Sequence, residues 1–399
     1  MANDITINID GVDYSRFLDF SLKRDLDDFC GETRLTVNAT RDIKTGILNS
    51  FPIKDAAEVI MACDGEPILT GYVTGIIVDT TTNQHNISYI INDKTVDLID
   101  NRLDSKQINT PITFDNLIKK VLDLSNIESI NPVFGKIYAA KSTFSNKIAV
   151  INNAGLIDKF LLSEKIRMRS SEEAYNFINR YADKRQIVVN TDGNGNIVIN
   201  AIGSETAETM LKNIDGAKDN NMRYSNFSSS SRHRFNKYIV RSMYKKSKGT
   251  TAPSVGIAYD NEIRSSRVIT IMGSTSLTNA ECKKRAEWEA NIRKMKSFKY
   301  TAGVIGFRQK SDDIKSLGFA GNPLWKINQM VMVQDQDSNI EDEMLIKTVV
   351  YNQSADKGST CDLTLVKKQY YTDSLNEAFL RKRQDKEVGQ VMFKLPTSN

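Results

Sequence analysis

Histidines, cysteines and paired acids carry most enzyme chemistry, and this 399-residue sequence has few of the first two. There are two histidines, His85 and His233, and four cysteines, Cys30, Cys63, Cys282 and Cys361. A Ser/His/Asp hydrolase needs a histidine as general base. His85 lies in the polar run Thr80-Thr81-Thr82-Asn83-Gln84-His85-Asn86, and His233 in Ser228-Ser229-Ser230-Ser231-Arg232-His233-Arg234. Neither has a G-x-S-x-G or C-G-x-C context. The cysteines form no CxxC pair, which excludes zinc fingers and ribbons and argues against a disulfide scaffold. Four isolated thiols fit a reducing cytoplasm. No P-loop, G-x-G-x-x-G or H-E-x-x-H occurs. Glu341 and Glu343 have the chemistry for glycoside cleavage, but they fall in an acidic turn between strands, where solvation accounts for them. Asp192-Gly193-Asn194-Gly195 invites a calcium reading. The loop is too short and lacks a distal Glu, so a hairpin turn explains it better. No catalytic residue, metal or cofactor is expected, and the chain reads as a non-enzyme.

The elements around these residues are mostly β. Ile5, Ile7 and Ile9 alternate with polar residues before the turn Asp10-Gly11, and Leu35 and Val37 alternate likewise. Val59 to Cys63 runs into Asp64-Gly65, a type I′ hairpin signal, and the return strand spans Ile68 to Val78. Ile87 to Ile91 follows, then a short helix ending at Asp100. Leu117, Ile118, Val121 and Leu122 share one helical face. Ser170 and Glu173 read as a capping box for a helix reaching Arg185, with Ala174, Phe177, Ile178, Tyr181 and Ala182 on its apolar stripe. A hairpin of Ile187–Val189 and Ile197–Ile199 follows. Thr278 and Glu281 cap a second strong helix, in which Trp288 reads as a core anchor. Trp325 to Gln334, Met344 to Tyr351 and Asp362 to Val366 read as strands.

Composition is that of an ordinary globular protein, with 40% hydrophobic, 26% charged and 8% aromatic residues. At this length two to four domains are expected. No stretch approaches a membrane span and no secretory signal opens the chain. The net charge of +5 conceals a division. Residues 1–100 carry 8 Lys/Arg against 17 Asp/Glu, whereas the remainder carries 46 against 32. An acidic N-terminal part and a basic remainder are either two differently composed surfaces or surfaces for different partners.

Met222 to Gly249 holds eight Lys/Arg and no acid, interleaved with Tyr224, Phe227, Phe235, Tyr238 and Tyr244. Basic and aromatic residues together suit a nucleic acid. A strand pair with aromatics inward and bases outward, or a contact to an acidic protein, accounts for the segment better. Arg232, Arg234, Lys237 and Arg241 are its candidate partner contacts.

Two stretches share a plan of strand, Asp turn, strand, polar loop, strand. One runs from Val59 to Ile91, the other from Met330 to Val366. If the echo is real, two related β domains flank an α/β middle.

The ordered motifs resemble the baseplate hub proteins of Mu-like contractile phage tails, the late control protein D-like group. In the N-terminal part these are Asp64-Gly65-Glu66-Pro67-Ile68-Leu69-Thr70-Gly71-Tyr72-Val73 and Asp93-Lys94-Thr95-Val96-Asp97-Leu98-Ile99-Asp100. The middle contributes Ser171-Glu172-Glu173-Ala174 through Asp192-Gly193-Asn194-Gly195-Asn196-Ile197-Val198. The C-terminal part contributes Ala286-Glu287-Trp288-Glu289-Ala290, Trp325-Lys326-Ile327-Asn328 and Val331-Met332-Val333. The resemblance implies an α+β, mostly β fold with two tube-like β-barrel domains flanking an α/β middle region. Its divisions are 1–104, 105–205, 206–372 with a helix at 278–297, and a tail at 373–399. It implies a homotrimeric structural protein of the virion tail, assembled in the host cytoplasm. Its partners would be the tail tube protein, the central spike and other baseplate proteins. DNA would pass its channel during genome ejection without specific binding, and no membrane is involved. The acidic part would line that channel or meet a basic neighbour. Tyr370, Tyr371, Phe379 and Leu380 are further candidate contacts, in a tail that either extends onto the spike or closes the last barrel. The alternatives are a nucleic-acid-binding protein using residues 222–249 and a tail-borne cell-wall hydrolase.

Overall fold

Apolar alternation and Asp-Gly turns are realised as a β-rich α+β structure. The computed structural model describes residues 5–14, 17–38, 40–41, 48–49, 53–80, 85–134, 161–162, 166–183, 187–245, 251–272, 277–309 and 322–368. The chain divides into two compact units. The first comprises Met1–Ser225 and Thr301–Leu365, and the second Asn226–Tyr300 and Val366–Asn399.

The first unit is built on one long sheet. Strand Ile5–Ile9 buries Ile5, Ile7 and Ile9 and pairs with both Val12–Tyr14 and Glu58–Cys63. Glu58–Cys63 turns at Asp64-Gly65 into Glu66–Thr80, which pairs with His85–Asp93. Asp64 and Gly65 have φ of 49° and 81°, the left-handed pair that a type I′ turn requires. The order continues through Glu32–Asn38 and Asp19–Asp25 to Ile340–Ser354 and Gly358–Val366. Among the described residues this ladder is an open path.

The internal echo is present in three dimensions. Gln329–Asp335, the turn at 336–339, Ile340–Ser354 and Gly358–Val366 repeat the plan of the first meander. The long strand of each meander has 15 residues. The two meanders join through Asp19–Asp25, which pairs antiparallel with Thr348–Ser354 and on its other edge with Glu32–Thr36. Phe20, Phe307 and Tyr351 pack edge to face at this join, with centroids 6.0 and 5.3 Å apart, and the Tyr351 hydroxyl donates to the Trp325 carbonyl.

Helices Phe114–Leu124 and Ala174–Asp183 and the strands Pro132–Phe134, Ile187–Thr191 and Ile197–Ala201 form the α/β region of this unit. The two apolar stripes read from the sequence are buried together in one cluster. The Ser170 capping box does not form. Ser171 adopts φ of 60°, and Glu172–Glu173 pairs with Arg102–Leu103, so the helix starts only at Ala174. The Glu172 carboxylate instead accepts from Arg169 N and the Arg180 guanidinium. The Trp325 strand also begins late, at Gln329, because Asn328 turns with φ of 69°. Its side chain accepts from Gly203 N and donates to the Ala201 carbonyl.

The second unit is a three-stranded sheet with a helix on one face. Lys237–Lys245 is central, antiparallel to Thr251–Tyr259 and parallel to Val268–Met272. Helix Asn279–Ser297 opens on the Thr278/Glu281 capping box, as the sequence predicts. Tyr238, Val240, Ala258, Leu277, Cys282, Ala286 and Ala290 form the core beneath it. Trp288 is buried, with the Arg285 guanidinium 4.4 Å from its ring.

Candidate assembly surfaces and the junctions that hold them

Buried polar junctions hold the elements of the first unit in place. Arg24, on Asp19–Asp25, faces Asp93, at the end of His85–Asp93. Its Nη1 and Nη2 donate to the two Asp93 carboxylate oxygens at 2.9 and 3.0 Å. Nη2 also donates to the Ile68 carbonyl at 2.7 Å, and Nη1 to Thr191 Oγ1 at 2.7 Å. Thr191 Oγ1 and Gly31 N donate to the same carboxylate at 2.7 and 2.8 Å. One buried ion pair therefore ties the first meander to the α/β hairpin. Burial opposes the Arg24 charge, but the Asp93 carboxylate outweighs it and holds the guanidinium above the usual arginine range.

The hairpin turn at Asp192–Asn196 completes this tie. Asp192 Oδ1 accepts from Asn194 N and Asn196 N at 2.9 and 2.8 Å, which forms an Asx turn. Gly193 lies so close to the first meander that a Cβ would sit 1.9 Å from the Pro67 carbonyl oxygen. Its own carbonyl accepts from Thr70 Oγ1 at 2.8 Å.

Arg308 makes the second junction. Its Nε donates to Asp64 Oδ2 at 2.8 Å, Nη1 to Glu66 Oε2 at 3.0 Å and Nη2 to the Cys63 carbonyl at 2.9 Å. Lys326 Nζ adds a 3.1 Å contact to Glu66. The Asp64-Gly65 turn of one meander is thus held by cations beside the other.

A third junction lies in the joining strand. Burial raises the Asp25 carboxyl, but hydrogen bonds from Lys347 Nζ at 2.8 Å, Thr348 Oγ1 at 2.6 Å and Asp27 N at 2.9 Å outweigh it and hold it below the usual range. A carboxylate depressed on folding stabilises the native state above its unfolded pKa of about 4, and that contribution disappears as pH falls through the lower folded value. Asp25→Asn is therefore expected to flatten stability as pH is lowered from 4, measured as the urea midpoint at successive pH values. An unchanged acid slope would exclude this role.

Burial dominates at the cysteines. It pushes the Cys30 and Cys63 thiols up to about 12 and also raises Cys282 and Cys361. All four are expected to label slowly with maleimide at neutral pH and rapidly in urea, as read by mass spectrometry, because the thiolate is the reactive form. Rapid native labelling of Cys63 would contradict its burial.

Two exposed features lie near the candidate residues or the meanders. The far end of Glu66–Thr80 presents Ile76, Ile77 and Val78 at 43, 39 and 54% exposure, so successive side chains on both faces of the strand meet solvent. Contiguous exposed apolar side chains of this kind mark contact sites. The basic segment is the other. Arg232 and His233 are exposed in the short 3-10 turn Ser231–His233. Arg241 is exposed on the central strand, and Lys237 lies 5.8 Å from the Tyr259 ring centroid. Arg234 is instead turned inward. It donates to Asp260 Oδ2 at 2.9 Å from Nε and 2.7 Å from Nη2, and to Glu262 Oε2 at 2.6 Å. The acids that neutralise it follow residue 249, outside the basic segment. Tyr370, Tyr371, Phe379 and Leu380 lie outside the described residues.

Known proteins place this architecture. A 43 kDa tail protein of prophage MuSo2 from Shewanella oneidensis superposes with a TM-score of 0.71 at 21% identity, over 92% of this chain and 98% of its own. A tail protein from Neisseria meningitidis MC58 gives 0.67 at 13% identity, over 94% and 99%. The E. coli c3393 protein, a type VI secretion component described as similar to T4 tail proteins gp27 and gp5, gives 0.51 at 10% identity, over 90% and 76%. No curated protein matches the sequence. The chain therefore has the fold of phage tail proteins. Residues 278–373 match the family model of the fourth domain of the Mu phage baseplate assembly protein GpP, and the Mu-like baseplate resemblance read from the sequence holds.

Proposed function

We propose that this chain is a structural hub of a contractile tail baseplate, working by shape and not by catalysis. The observation that carries the reading is the pair of meanders, alike in order and strand length, fused edge to edge through Asp19–Asp25. A protein that presents two similar β modules matches a ring of twice its own symmetry. Three copies would present six modules to a hexameric tail tube, with the central spike on the other side and the DNA channel inside. The divisions 1–104, 105–205, 206–372 and 373–399 are those of such a hub. The exposed Ile76–Val78 arm is apolar surface that a ring contact covers. The acidic N-terminal part would repel phosphate along the channel or meet a basic neighbour. Assembly in the host cytoplasm and incorporation into the virion tail follow from the same reading.

Light scattering on the purified chain tests it. A mass three times that of one 44.9 kDa chain is the expected result. A strict monomer at high concentration, even with the tube protein present, would overturn the trimer.

A further inference from the structure

Among the described residues, the sheet of the second unit is covered on one face only. Helix Asn279–Ser297 lies against Ser254, Gly256 and Ala258, which are small and buried. The side chains between them point the other way. Val255, Ile257 and Tyr259 are 42, 36 and 59% exposed on one edge strand, and Val268 and Met272 are 47 and 72% exposed on the other. The register sets them side by side across the central strand. Lys237 stands between Tyr259 and Val268, and Arg241 between Val255 and Met272. A sheet with one solvated face normally alternates apolar inward and polar outward. Here both edge strands carry large apolar residues outward, and the charges between them are cationic. The acids nearest in sequence, Asp260 and Glu262, are engaged by Arg234 and Lys294.

We propose that this face docks a different protein of the tail, one whose apolar surface carries carboxylates that pair with Lys237 and Arg241. The inference rests on the reading of the chain as a tail component. Charge selects the partner. The same face of a second copy would bring Lys237 and Arg241 against their own kind, a like-charge contact that opposes association. Carboxylates opposite these two cations satisfy them inside an otherwise apolar contact.

Carbodiimide cross-linking and peroxide labelling of purified tail particles test this. The carbodiimide joins an amine directly to a carboxylate, so Lys237 is expected in an amide link to an Asp or Glu of another polypeptide. Met272 is expected to oxidise at least an order of magnitude more slowly in particles than in the isolated chain, with buried Met61 and Met168 as internal references. Replacing both cations, Lys237→Glu with Arg241→Glu, should abolish the protection of Met272. Equal oxidation of Met272 in particle and isolated chain would overturn the proposal. So would Lys237 links confined to copies of this chain, protection without any carboxylate link, or protection that survives the double replacement. Each of these leaves the hub reading standing. Absence of the chain from tail particles would overturn both.

Discussion

Replacing Arg24 with alanine is expected to cost about 3–5 kcal/mol, because it strands the Asp93 carboxylate inside the protein. Asp93 is fully buried, and Arg24 is its counter-charge. Thr191 Oγ1 and Gly31 N would still donate to it, but two neutral hydrogen bonds do not replace a bidentate cation. The Ile68 carbonyl and Thr191 would also lose a donor, loosening the tie between the first meander and the α/β hairpin. Arg24→Lys should recover only part of the loss, since an ammonium lacks the planar fork. Combining Arg24→Ala with Asp93→Asn should cost less than Arg24→Ala alone, because the stranded charge is gone. The two units need not unfold together, so the probe must report on the first. Urea-dependent labelling of Cys63, which lies in that unit, does so. A loss below about 1 kcal/mol for Arg24→Ala would show that the pair contributes no more than a surface salt bridge.

Replacing Gly256 with valine is expected to unfold or severely loosen the second unit. A Cβ at Gly256 would sit 2.0 Å from Lys283 N and 2.1 Å from the Cys282 carbonyl carbon. Both are helix backbone, so no side-chain rotation relieves the overlap. The helix must rise from the sheet, and the contacts of Cys282 and Ala286 with Tyr238 and Val240 go with it. Overpacking typically costs about 1–3 kcal/mol even where side chains can move, and this site exceeds that range. Val255→Ala, one residue earlier on the uncovered face, should change stability by about 0.5 kcal/mol or less in the isolated chain. Hydrogen exchange of the 237–245 and 251–259 amides separates the two outcomes. Unchanged protection in Gly256→Val would show that the helix can shift without loss.

Much of the local structure was legible from residue order. The Asp64-Gly65 turn announced its own geometry, because few residue pairs tolerate two positive φ values. The stripes Leu117–Leu122 and Ala174–Ala182 marked buried helix faces, and Thr278 with Glu281 marked a helix start. The helix does not start from Ser170, for a tertiary reason. Pairing of Glu172–Glu173 with Arg102–Leu103 offered those backbone groups a partner that the helix would otherwise have supplied. Arg234 is neutralised in the same way from a distance, since Asp260 and Glu262 return to it from beyond the basic segment.

By itself the sequence determined the strands, turns and helix faces, and the repetition of one meander, because these follow from periods of a few residues and from backbone preferences at single positions. Only the tertiary structure decided which charges are spent and which are free. Arg24 meets Asp93 across 69 residues, and Arg308 meets Asp64 across 244. It also decided that Asp19–Asp25 fuses the two meanders, and that, among the described residues, one face of the 237–272 sheet stays open while the other is covered. Such pairings depend on where distant segments arrive in space. The free energy that fixes them, the avoided cost of an unpaired buried charge or strand edge, is not carried by either segment alone.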